Sequence, residues 1–154
     1  MTEEGIGGPF LQMAVFCDKV LTEADGVSSV IRVVDRWMVN GIAEIMPLTV
    51  ISTNIVLMLK SGLFRGKATV TVSPESPSGQ KMPPIILSVN FEGDNDRGIT
   101  LAIPLGFPVQ EEGVYWFSLE VNGQLFTRMP FRVLYQRILN LGVLPPLPRG
   151  PENQ

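Results

Sequence analysis

Glu92, Asp94 and Asp96, three carboxylates at alternate positions, are the first residues whose types and spacing could do chemistry. Alternate acids on a polar loop suit calcium, which takes about six to eight oxygens in a flexible shell. The rest of an EF-hand pattern is missing, however, and Arg97 competes for the same carboxylates, so the loop reads as a solvated turn. Asp18 and Asp35 each end an apolar segment, and a pair of acids at the right separation is what glycoside hydrolysis requires. Nothing in the spacing gathers them into a cleft. With Arg32, Arg36, Arg128 and Arg132 falling on extended segments, Arg–Asp pairs between neighbouring strands account for them.

Other chemistries lose their usual carriers. The sequence has no histidine, the commonest general base and metal ligand near neutral pH. Its single cysteine, Cys17, lies in the apolar run 13–17 and reads as a small buried hydrophobe. One cysteine forms no intrachain disulfide, as expected of a reducing compartment. Gly5, Gly7 and Gly8 follow no strand, no Gly-Lys-Ser/Thr is present, and Ser28 and Ser29 lack a lysine at motif spacing. The expectation is no catalytic residue, no cofactor and no metal.

The elements that would position any site are short and alternating. Forty-five per cent of the 154 residues are hydrophobic and 18% charged, enough for one domain with a core. Twelve basic and fifteen acidic residues are scattered along the chain, without the basic stripe that nucleic acid requires. In 67–73, Ala68, Val70 and Val72 share a face; 85–91 and 99–105 repeat the pattern. Tyr115, Phe117, Leu119 and Val121 point inward, and Asn122-Gly123 is a strong hairpin turn. With 11–17, 30–37, 53–60 and 125–135 this makes about eight strands. Pro130 marks an edge or bulge in the last, and only 135–144 shows a helical period. The expected fold is all-β, a single immunoglobulin-like antiparallel β-sandwich over 11–135. A flexible N-terminus (1–10) and a proline-rich tail (136–154) flank it.

The stretches Phe16-Cys17-Asp18, Val33-Val34-Asp35-Arg36 and the closing Gly113-Val114-Tyr115-Trp116-Phe117 with Asn122-Gly123 and Pro130-Phe131-Arg132-Val133 carry a resemblance. The chain resembles, over 11–135, an uncharacterised family of small bacterial all-β proteins. Its closing hairpin is similar to those of immunoglobulin-like domains, which implies that Tyr115 bonds backbone as a tyrosine corner. The resemblance implies no catalytic residue, cofactor or substrate.

What remains is surface. The connection 37–48 carries Trp37, Met38, Ile42, Ile45 and Met46, more apolar area than a loop normally exposes. It is either an interface or, in part, a strand buried in the core. Trp116, outward on a polar face, adds to the same surface. Pro145 and Pro148 have PxxP spacing, yet the 136–154 segment reads as a tail that frays or docks. The sequence therefore predicts a cytoplasmic, non-catalytic protein-interaction module of a bacterial assembly. It would bind another protein or itself, and neither nucleic acid nor membrane. The alternatives are an enzyme with a carboxylate-based or metal-assisted site, and a calcium- or glycan-binding sandwich.

Overall fold

The computed structural model describes residues 7–139, and among these it holds nine strands and no helix. They are β1 (Phe10–Thr22), β2 (Ser28–Val34), β3 (Arg36–Gly41), β4 (Thr49–Lys60), β5 (Gly66–Glu75), β6 (Ile85–Phe91), β7 (Gly98–Val109), β8 (Gly113–Val121) and β9 (Gln124–Arg137). One sheet has the order β2-β1-β4-β7, the other β3-β9-β8-β5-β6. Pairing is antiparallel throughout except for β3 on β9, which is parallel.

Alternation along the strands builds the core. Ala68, Val70 and Val72 of β5 are buried, as are Ile103, Leu105 and Phe107 of β7 and Phe117, Leu119 and Val121 of β8. Phe16 of β1 reaches across to Phe117 and Phe131 of the other sheet, with ring centroids 5.0 and 4.9 Å apart in edge-to-face geometry. Phe107 joins the same cluster, 5.3 Å from Phe117 and 5.7 Å from Phe131. Such pairs add about 0.5–1.5 kcal/mol each beyond the area they bury. These four rings join the two sheets into one sandwich-like core.

The 30–37 run, expected as one strand, is two. The chain leaves the first sheet at Asp35 and enters the second as β3, and the Arg132 amide donates to the Asp35 carbonyl at 2.9 Å at the crossing. Val34 pairs with Phe16 in one sheet, Trp37 with Val133 in the other. A β-branched run specifies extended backbone but not which sheet receives it, so nine strands stand where eight were expected. Tyr135 to Arg137, read as the start of a helical period, finish β9. Phe10, assigned to the N-terminus, opens β1; residues 1–6 and 140–154, holding most of both expected ends and the PxxP spacing, lie outside the described residues.

Two local features fix the closing hairpin. Asn122 and Gly123 take φ of 50° and 80°, the left-handed pair that a tight hairpin turn requires. Asn122 also holds β5: its side-chain oxygen accepts from the Thr69 amide, and its own amide donates to the Thr69 carbonyl, both at 2.9 Å. The Tyr115 hydroxyl donates to the Glu111 carbonyl at 2.9 Å, and burial raises its pKa. Pro130 lies in the part of β9 that precedes its pairing with β3, where a missing N–H costs no ladder bond.

Candidate interaction surface at one end of the sandwich

The 42–48 connection joins β3 to β4, and its apolar side chains part company. Met46 is buried in the core, whereas Ile42, Ile45 and Leu48 are 69%, 82% and 64% exposed. Beside them Ile138 and Leu139, just past β9, are exposed too, Leu139 at 72%. Side chains standing this far out of the surface normally belong to mobile loops. This one is pinned.

Five contacts hold it. The Tyr135 hydroxyl donates to the Ala43 carbonyl at 2.7 Å, and Arg137 Nε donates to the Ile42 carbonyl at 3.1 Å. The Ile138 amide donates to the Gly41 carbonyl at 2.7 Å. Thr49 Oγ1 donates to the Pro47 carbonyl at 3.1 Å, and the Met46 side chain anchors the far limb in the core. Tyr135 is itself placed by its amide, which donates to Glu112 Oε1 at 2.7 Å, and by close packing on Gly41. A Cβ on Gly41 would meet the Tyr135 hydroxyl oxygen at 2.7 Å, so glycine is what lets the ring lie there. At the border Arg137 approaches the exposed Glu44 carboxylate at 3.9 Å. The result is an apolar centre on fixed backbone with a charged pair at its border.

Next to Leu48 a cleft of about 480 Å³ runs between Met82, Pro108, Glu111 and Tyr115. Its polar wall is a clamp: Glu111 Oε1 accepts from the Ser78 amide at 3.0 Å and from Ser78 Oγ at 2.8 Å. Those bonds lower the Glu111 pKa, which makes it a weaker base toward the serine. Sequence reasoning missed this carboxylate, because nothing in the spacing ties residue 111 to residue 78.

The other sequence-derived candidates are dispersed. Trp37 is half-buried and packs on the core, and Met38, 46% exposed, lies on the outer face of the five-stranded sheet in register with Leu134. Trp116 is half-buried, with the Arg128 guanidinium over its ring 4.9 Å from the centroid. Of the six, Ile42 and Ile45 are the ones exposed on the pinned tip, with Met46 anchoring it in the core. Leu48, Ile138 and Leu139 complete it, and the apolar composition of 42–48 and of the segment after β9 was the available signal.

The acids are engaged locally. Asp18 accepts from Arg32 at 3.0 Å between β1 and β2, and Asp35 pairs with its neighbour Arg36 at 3.1 Å. Among the described residues no three Asp, Glu, Cys or His side chains gather as a metal site. Cys17 is buried, with its pKa raised by burial and by Asp18. No helix among the described residues is long and apolar enough to cross a membrane.

Fold and surface together define a two-sheet all-β protein with an ordered apolar tip. The chain belongs to a family of unknown function, DUF6941, which it matches over residues 12–134. No curated protein matches the chain.

Proposed function

We propose that this protein is a non-catalytic interaction module of a bacterial, cytoplasmic assembly, docking a protein partner through the tip of 42–48. The observation that carries this is the fixed backbone beneath Ile42, Ile45 and Leu48. An apolar surface already ordered before binding loses little conformational entropy on docking. An apolar centre bordered by charged groups, here Arg137 and Glu44, also matches the usual anatomy of a protein interface. Because the isoleucines project, the complementary partner surface is a pocket rather than a flat face.

The scaffold in this proposal is an immunoglobulin-like sandwich. Its support is the Tyr115 hydroxyl bonded to backbone four residues upstream, in the manner of a tyrosine corner, together with two sheets joined across an aromatic core. The non-catalytic reading rests on Asp18 and Asp35 each held by an arginine, and on Glu111 held as a weak base by Ser78.

The test is site-specific photo-crosslinking in the cells that make the protein, with the probe at Ile45 or at Thr71, which faces outward on β5. A discrete adduct at residue 45, absent at 71 and lost in Ile42→Asp, supports the proposal. Equal labelling from both positions, or adducts that persist in Ile42→Asp, overturns it.

A further inference from the structure

A strand at the edge of a sheet offers unpaired N–H and C=O groups, and natural proteins blunt such edges. Most free edges here are blunted. On β7, Pro104 and Pro108 lack the N–H that would point outward, since a proline cannot donate to the β4 ladder. On β2, Arg32 takes φ of 55° and drops out of the pairing with β1 between Ile31 and Val33. The unpaired start of β1 carries the register shift between Leu11 and Met13, and that of β9 carries Arg128 and Pro130. β3 opens on the exposed Asp35–Arg36 pair.

β6 has none of these devices. Its seven residues, Ile-Ile-Leu-Ser-Val-Asn-Phe, contain no charge, no proline and no bulge, and no described strand pairs with its outer side. Which of its groups face outward follows from β5. Thr69 spends both its N–H and its C=O on Asn122, on the β8 side, so it does not bond its β6 partner Ser88. Ser88 therefore turns its N–H and C=O to the free edge, and by alternation Ile86 and Asn90 do the same.

We infer that β6 is a self-association edge, pairing antiparallel with β6 of a second copy of this chain about a two-fold axis at Ser88. The pairs would be Ser88 with Ser88 and Ile86 with Asn90, each exchanging two N–H···O bonds. Self-pairing sets no like charges against each other within the strand. Charge also selects the direction. Lys81 precedes β6, whereas Glu92, Asp94 and Asp96 follow it with only Arg97 to offset them. Antiparallel pairing sets the basic end of each copy against the acidic end of the other, whereas parallel pairing would set acid against acid. The partner sheets then join into one continuous sheet of ten strands, five from each copy. This surface is separate from the 42–48 tip, and the inference does not depend on what docks there.

The experiment is sedimentation velocity of the full chain across a concentration series, for wild type, Ser88→Pro, Ser88→Lys and Ile45→Asp. Proline deletes the central edge donor without touching the β5 ladder. Lysine sets two positive charges across the axis on an exposed position that leaves the fold intact, so it decides the matter if the proline variant unfolds. Wild type and Ile45→Asp are expected to double in mass with concentration while Ser88→Lys stays monomeric. Under oxidation, Ser88→Cys is expected to form a disulfide dimer, because Cα atoms of a hydrogen-bonded pair lie about 5.5 Å apart, within disulfide reach. A wild type that stays monomeric, or a dimer lost in Ile45→Asp and kept in Ser88→Lys, overturns the inference.

Discussion

Replacing Tyr135 by phenylalanine removes one oxygen and tests whether the 42–48 tip is held in place or merely happens to be folded. The ring keeps its packing on Gly41, and the main-chain amide keeps its bond to Glu112. Only the donor to the Ala43 carbonyl, 2.7 Å away, is lost. That carbonyl lies in an exposed segment, where water replaces the tyrosine, so the loss is the net worth of one hydrogen bond, about 1 kcal/mol. The two bonds from Arg137 and Ile138 remain. Local opening of the tip then becomes about fivefold more frequent. Hydrogen exchange on both proteins reads this directly. Exchange in 42–46 and at the Ile138 amide is expected to accelerate about fivefold in Tyr135→Phe, while β5 and β8 stay unchanged. Unchanged exchange at the tip would mean that the tyrosine does not hold it, and acceleration throughout the chain would mean that its role is in the core.

Three further outcomes follow from the fold. Phe16→Ala, which empties a buried site between Phe117 and Phe131, is expected to lower unfolding free energy in urea by about 3–5 kcal/mol; a loss below about 1 kcal/mol would mean that the sheets are not joined there. Asn122→Ala is expected to cost about 2 kcal/mol, from the left-handed backbone plus the bond to Thr69, whereas Asn122→Gly, free of the backbone strain, costs about 1 kcal/mol by the same assay. Glu111 has its pKa lowered by Ser78, so its contribution to stability is complete above the ordinary glutamate value and is lost as pH falls through the lowered one. Exchange protection of the Ser78 amide should therefore drop on acidification in wild type, and Glu111→Gln should remove that pH dependence.

Much of the fold was legible because each inward face alternates. Val70 and Val72 in β5 and Phe117 and Leu119 in β8 are buried as their spacing requires, and the Asn122-Gly123 turn has the backbone its residues favour. The passage of the chain between sheets at Asp35 was not legible, since Val34 and Trp37 are equally good strand residues on either side of it. Ile45 and Met46 show the same limit at the surface. They are adjacent apolar residues, yet the more hydrophobic one is 82% exposed and the other 6%. What separates them is the hold of Tyr135 and Arg137, more than ninety residues away in sequence, on the carbonyls of 42 and 43. The cover on Trp116 was hidden for a comparable reason: Arg128, which lies over its ring, comes from the facing strand of the hairpin.

The central claim is that the ordered apolar tip docks a protein, and the most direct measurement is the crosslinking yield from a photoreactive residue at position 45 in wild type and in Tyr135→Phe. If a fixed tip is what the partner recognises, one adduct of defined mass forms in wild type and its yield falls severalfold when the pin is removed. An adduct whose yield is indifferent to Tyr135, or no adduct at all, contradicts the claim.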